Sequence, residues 1–252
     1  MRPARRRCDS FERVIIMGSE SNETSKERYE RVAAELAEVC RQAGRDPKEV
    51  RLVAVSKTVG VSEVANAIAG GAHDFGENRP DLLMEKHDAY PSEKWHFIGN
   101  IQSRRIHDIV GRATLIHSLY ELSHAKKIDT VAAERGIVQD VLLEVNVSGE
   151  ESKSGLSPDQ VPSMLAACAQ LEHVRVRGLM TMAPQGDLAV AKETFEGLRA
   201  LFEKSRSSLP QRDADLFNEL SMGMSEDWRE AVFAGATIVR IGRAIFSDSF
   251  IA

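Results

Sequence analysis

The sequence predicts a single (β/α)8 TIM barrel, α/β in class, with an extra helix on its amino-terminal side. Short apolar runs with strand character alternate with helix-like segments over most of the chain. Eight such runs can be counted, and no stretch rich in Pro, Gly or Ser divides them into two units. The full length of 252 residues suits one large α/β domain. A doubly wound open sheet shares the same alternation, because periodicity alone does not count closure.

The expected domain boundaries are a disordered basic extension over 1–24 and the barrel over 25–252. The extension opens Met1-Arg-Pro-Ala-Arg-Arg-Arg7, and its apolar piece Val14–Met17 is too short for a signal-peptide core. From Lys26 to Ala43, apolar residues at Tyr29, Val32, Leu36, Val39 and Cys40 fall on one helical stripe, stopped by Gly44 and Pro47. Leu52–Val55 is the first strand, followed by a helix near Ser62–Ala69 that Gly70-Gly71 closes. Asp74–Glu77 is the second strand, and Pro80 suits the first turn of a helix reaching Ala89. Trp95–Ile98 with the helix Arg104–Val110, then Thr114–His117 with Leu122–Arg135, make the next two units. Asp140–Val147 reads as the clearest strand, followed by a polar loop and a helix from Pro158 to Gln170. Val174–Met180 with Leu188–Arg206, Leu216–Leu220 with Glu226–Ala234, and the strand Ile238–Ile241 complete the count.

Composition excludes several functions. Lys plus Arg number 33 against 38 Asp plus Glu, a formal charge of −5 that gives no overall attraction to nucleic acid or anionic membrane. No apolar run is long enough to span a bilayer. Cys8, Cys40 and Cys168 form neither a C-x-x-C pair nor a disulfide framework, which fits a reducing, cytoplasmic location. No metal-ligand spacing, P-loop, G-x-G-x-x-G or G-x-S-x-G appears.

The chemistry-bearing positions fall at the carboxyl ends of the strands, where barrels keep their active sites. Lys57 closes the first strand; desolvated there, it could attack a carbonyl and form a Schiff base, whereas a lone strand-end lysine more often snorkels to water. Leu220-Ser-Met-Gly-Met-Ser225 after strand seven and Ile241-Gly-Arg243 after strand eight are small, glycine-containing turns in the places where barrels bind phosphate. Ser225 fits a simple helix N-cap equally well. Arg240 lies on the same strand face as Gly242, and a buried guanidinium needs partners, for which Glu144 and Glu219 are candidates. His96 in strand three reads as a core histidine with one satisfied nitrogen. Phe75-Gly-Glu-Asn78, Asn146, Ser148 and Met180 line the mouth. An aldehyde-capturing lysine at strand one and phosphate loops after strands seven and eight define a ligand with both groups, and pyridoxal 5′-phosphate is one.

Ala54-Val-Ser-Lys57, Phe75-Gly-Glu-Asn78, Trp95-His-Phe-Ile-Gly99 with Ile101-Gln-Ser103, Val145-Asn-Val-Ser148 with Ser152-Lys-Ser-Gly155, Arg177-Gly-Leu-Met180, Leu220–Ser225 and Val239-Arg-Ile-Gly242 occur in that order. Together they resemble the YggS/PROSC family of pyridoxal phosphate homeostasis proteins, related to the barrel of bacterial alanine racemase. The resemblance implies a cofactor bound to Lys57, with Asn78 and Met180 close to it. Ser221, Met222, Gly223, Gly242 and Arg243 would surround its phosphate, and Arg240 would face its pyridine nitrogen. No catalytic residue and no metal are implied. Arg79 and Arg104-Arg105 depart from the family pattern, where an aromatic residue and Asn-Lys are expected.

Arginine only donates hydrogen bonds, so opposite the pyridine it leaves the ring unprotonated and a poor electron sink. Related racemases draw a second base, a tyrosine, from a separate β-domain of a partner subunit. The given sequence stops soon after the barrel, so that domain is not expected, and Tyr29, Tyr90 and Tyr120 read as remote from the mouth. The expectation is therefore a monomeric carrier that holds the cofactor and hands it to apo-enzymes. A racemase-like enzyme and a cofactor-free class I aldolase remain the alternatives.

Overall fold

The computed structural model describes residues 23–150, 154–248 and 250; most of the expected basic extension and the loop residues 151–153 lie outside them. Eight parallel strands close in chain order into a barrel. They are β1 (Arg51–Val55), β2 (Asp74–Glu77), β3 (Lys94–Phe97), β4 (Leu115–Leu119), β5 (Gln139–Glu144), β6 (Val174–Met180), β7 (Glu219–Ser221) and β8 (Ile238–Ile241). Closure is made by β8 on β1, with Val53 opposite Arg240 and Ala54 opposite Ile241. That pairing decides for the TIM barrel against the open sheet.

The helices are α1 (Ser25–Gln42), α2 (Val61–Ala69), α3 (Pro80–Ala89), α4 (Ile106–Ile109), α5 (Leu122–Glu134), α6 (Val161–Cys168), α7 (Leu188–Ser208), α8 (Gln211–Leu216), α9 (Trp228–Phe233) and α10 (Arg243–Phe246). α1 starts on a capping box, in which Thr24 accepts from the Glu27 N–H and the Glu27 carboxylate accepts from the Thr24 N–H. Its stripe of Tyr29, Val32, Leu36, Val39 and Cys40 is buried against α2, α9 and α10. Arg28, itself buried, donates to the Ile245 carbonyl at 2.8 Å and pairs with Asp248 at 2.6 Å. The helix after β8 is only one turn long, so α1 covers the gap that a full eighth helix would fill.

Several boundaries differ from the sequence expectation. The fifth strand stops at Glu144 rather than Val147. Beyond it the Asn146 side chain accepts from the Gly149 N–H at 3.0 Å and the Ser148 hydroxyl at 3.1 Å, turning the chain out of the ladder. The seventh strand begins at Glu219, because 211–216 form α8 and Phe217 stacks on Phe202 with ring centroids 5.0 Å apart. The helices expected at Arg104 and Pro158 each begin as a 3-10 turn before continuing as α4 and α6.

Inside the barrel the side chains fall into levels. At the amino-terminal end, Arg51 pairs with Glu219 at 3.0 Å, and Asp140 takes Arg175 at 2.6 Å and Arg177 at 2.9 Å. Above that plug, Val53, Val55, Leu115, Leu142, Met180 and Ile238 form an apolar cluster with Ile98 against it. A second, larger core lies between the strands and the helices.

Candidate functional site

Strand alternation decides which side chains face the barrel axis. In β1 the inward residues are Val53 and Val55, and Lys57 is next in phase, two residues past the ladder. Lys57 is exposed. It is not desolvated; it has the exposure of a strand-end lysine that reaches water. Asn78 follows β2 in the same inward phase, and its Oδ1 is buried with no hydrogen-bond partner among the described residues. An orphaned buried acceptor costs on the order of 1–3 kcal/mol, and an amide flip would present a donor there instead. Met180 ends β6 and belongs to the apolar floor of the mouth.

The loops after β7 and β8 meet. The Gly242 N–H donates to the Ser225 hydroxyl at 3.3 Å, so Ser225 ties the two turns together instead of capping a helix. The N-cap of α9 is Asp227, whose carboxylate accepts from the Met224 N–H at 2.6 Å. Gly223 has φ +91°, and a Cβ on it would lie 2.9 Å from Trp228 Cα and 2.6 Å from Ala231 Cβ. A Cβ on Gly242 would lie 3.1 Å from the Val55 carbonyl oxygen. Glycine thus lets the first turn fold tightly onto α9 and the second lie against the rim of β1.

Some of the residues expected at the phosphate have other partners. Met222 is buried, and its N–H is spent on the Ile238 carbonyl at 3.1 Å. The Ser221 hydroxyl points into the barrel, 2.6 Å from Arg240 Nη1 and 2.9 Å from His117 Nδ1. The Arg243 side chain turns outward to Glu226 at 2.7 Å and over the Phe250 ring at 5.3 Å. Arg243 begins α10, in which the Ile245 and Phe246 N–H groups both donate to the Gly242 carbonyl, at 3.0 and 2.9 Å.

Arg240 is 4 % exposed and donates to the Thr181 carbonyl at 2.9 Å as well as to Ser221. The candidate acids Glu144 and Glu219 are not its hydrogen-bond partners, and Glu219 is held by Arg51 and Thr237. Burial lowers Arg240 to about 10, opposed by the charges of Asp227 and Glu144. Burial raises Glu144 to about 7, against a weaker pull from Arg240. His96 has both nitrogens satisfied rather than one, at 3.0 Å from Asp74 and 2.9 Å from His117.

Sequence reasoning missed His117, Thr181 and a buried Lys86–Glu77–Ser56 cluster, in which Ser56 donates to Glu77 at 2.6 Å and Lys86 donates to the Ser56 carbonyl at 2.7 Å. The signal for His117 was its inward phase beside His96 on adjacent strands. Of the tyrosines, Tyr29 is buried in α1, and Tyr90 donates to the Val61 carbonyl at 3.3 Å. Tyr120 directly follows β4, on the mouth side of the barrel, and packs against the outer core. The departures Arg79 and Arg105 are paired with their neighbours Asp81 and Asp108, both at 2.5 Å.

Residues 28–249 match the family described as alanine racemase, N-terminal domain. The Pyridoxal phosphate homeostasis protein of Aquifex aeolicus is 37% identical over 227 residues, covering 88% of this chain and 97% of its own length. That of Deinococcus radiodurans is 40% identical over 217 residues, covering 86% and 98%. The chain belongs to the pyridoxal phosphate homeostasis family. Another member, PipY of Synechococcus elongatus, solved with PLP bound, superposes with TM-score 0.73 at 32% identity, covering 85% of this chain and all of that one. Alanine racemase of Corynebacterium glutamicum, 18% identical with TM-score 0.65, shares the barrel fold over 60% of its length. PipY therefore superposes along its whole length, and the racemase over 60% of its own.

Proposed function

We propose that this protein holds pyridoxal 5′-phosphate at the carboxyl mouth of the barrel, as a Schiff base on Lys57, and serves the cell as a carrier of that cofactor. The observation that supports it most is Arg240. A guanidinium buried on the barrel axis keeps N–H groups beyond the two used on Ser221 and Thr181. The orphaned Asn78 amide and the glycine-lined junction of the last two loops fit the same ligand. When bound, the cofactor supplies an aldehyde for Lys57 and an aromatic ring. The chain's own residues would orient it: Met180 would underlie the ring, while the phosphate would lie against the turns at Gly223 and Gly242 and the start of α10 at Arg243, the Gly242 N–H being held by Ser225. The Ser221 hydroxyl and the Met222 N–H act from behind, keeping the strand ends in place. Transfer to apo-enzymes, in the cytoplasm and from a monomer, completes the reading.

Arg240 also argues for holding over catalysis. A donor that stays protonated at working pH leaves the ring nitrogen unprotonated, and electron withdrawal by the ring is weak. Racemisation further needs a base on the opposite face, and the one tyrosine on the mouth side, Tyr120, is packed against the outer core.

Two measurements test this. Saturating the protein with pyridoxal phosphate should give a visible absorption band that Lys57→Ala abolishes, and borohydride followed by peptide mapping should find the label on Lys57; an unmodified Lys57 overturns the site. With L-alanine in deuterated water, the loaded protein should leave Cα–H unexchanged. Rapid exchange would make it a racemase-like enzyme, with Tyr120→Phe the variant to examine next.

A further inference from the structure

Between the charged plug and the mouth, a line of polar side chains crosses an otherwise apolar barrel. Asp74 Oδ1 lies 3.0 Å from His96 Nε2, His96 Nδ1 lies 2.9 Å from His117 Nε2, and His117 Nδ1 lies 2.9 Å from Ser221 Oγ. Ser221 Oγ lies 2.6 Å from Arg240 Nη1. The two histidines, Ser221 and Arg240 are buried, while Asp74 keeps a 15 % exposed side chain on a cavity of about 160 Å³ at the amino-terminal end.

Both ends of this line are chemically one-sided. Arg240 only donates and an ionised Asp74 only accepts, so each group between them passes its hydrogen toward Asp74. Burial would raise the Asp74 carboxyl, but its hydrogen bond to His96 and the charges of Arg51 and Lys94 hold it below the ordinary value. Burial lowers both histidines, His117 the further, with the charges of Arg240 and Arg51 adding to it; for His96, Asp74 and Glu219 pull the other way and lose. Two neutral imidazoles between these ends have one consistent arrangement, with the proton on Nε2 of each. Reversing it would set a bare His96 Nε2 against the Asp74 carboxylate. A chain oriented in one sense polarises itself, and each bond strengthens the next.

We propose that Asp74, His96 and His117 are positioning residues for Arg240, acting through Ser221 to hold the guanidinium toward the ring nitrogen of the cofactor from the far end of the barrel. This rests on the reading that pyridoxal phosphate occupies the mouth. It also assigns the Ser221 hydrogen to His117, so within this line only Arg240 is left to donate toward the mouth.

The test has two arms. Nitrogen-15 NMR of the imidazoles in cofactor-free protein at neutral pH, assigned with His96→Gln and His117→Phe, should show Nε2–H and a bare Nδ1 for both residues. His117→Phe keeps a ring in place and cuts the line. We expect it to weaken pyridoxal phosphate binding about tenfold, the size of one charge-assisted hydrogen bond, and to shift the visible band. Asp74→Asn, which keeps an acceptor but no charge, should move both readouts in the same direction by less. A proton on Nδ1 of either histidine overturns the proposal, as does folded His117→Phe with unchanged affinity and band. If His117→Phe does not fold, the wild-type tautomers decide. If the wild type takes up no pyridoxal phosphate, the carrier reading fails, while the cofactor-free tautomers still judge the chain.

Discussion

Glu144 stands at the end of β5, 3 % exposed and without a cation in hydrogen-bond contact. Burial raises its carboxyl from the ordinary 4.5 to about 7. A raised folded-state value means that the native protein binds this proton more tightly than the unfolded chain. The resulting stability is complete below pH 4.5 and is lost as pH rises through about 7. Glu144→Gln removes that loss. Compared with their difference in acid, the variant should gain on wild type on the order of 3 kcal/mol by slightly alkaline pH, a limit set by the size of the shift. Urea unfolding midpoints at acid, neutral and slightly alkaline pH check this, and parallel curves for the two proteins would reject it. The same scale explains Lys57, whose ammonium is solvated at the rim while Lys86, one helix away, is wholly buried on Glu77. Lys57 follows β1 and Lys86 lies on α3, whose packing brings the Lys86 ammonium onto the Ser56 carbonyl and Glu77.

The element that most changes the barrel is α1. With α10 limited to Arg243–Phe246, the seam where β8 meets β1 has no full helix of its own, and α1 lies across α2, α9 and α10 instead. Leu36, 5 % exposed, is in the middle of its buried stripe. Leu36→Ala should destabilise the protein by about 2–5 kcal/mol, as cavity-forming truncations do in a close-packed core. A surface helix outside the barrel fold would lose less than 1 kcal/mol for the same change, so denaturant unfolding distinguishes the two roles. The loops after β7 and β8 act as a pair for a similar reason. Glycine packs one turn onto α9 and the other onto β1, and the contact from Gly242 to Ser225 joins them.

For the molecule as a whole, α/β alternation, the eight strands, the extra helix and the residue types at the strand ends were legible in the sequence, because they are local. Apolar periodicity reports which face of an element is buried, and a glycine turn or a strand-end lysine is visible without its neighbours. The residues from Lys57 to Gly242 could thus be assigned to one mouth. What they touch there could not, because partners in a closed barrel come from strands far apart in sequence. Ser225 reads locally as a helix cap and Arg240 as half of an ion pair. Closure gives Ser225 to Gly242, and Arg240 to Ser221 and Thr181. The line from Asp74 to Arg240 exists only because β2, β3, β4, β7 and β8 turn those side chains toward one axis. Sequence therefore determined which groups are present at which end of the barrel. Tertiary structure alone decided which hydrogen bonds they make, since a hydrogen bond depends on tenths of an ångström across the barrel and no local pattern encodes that distance.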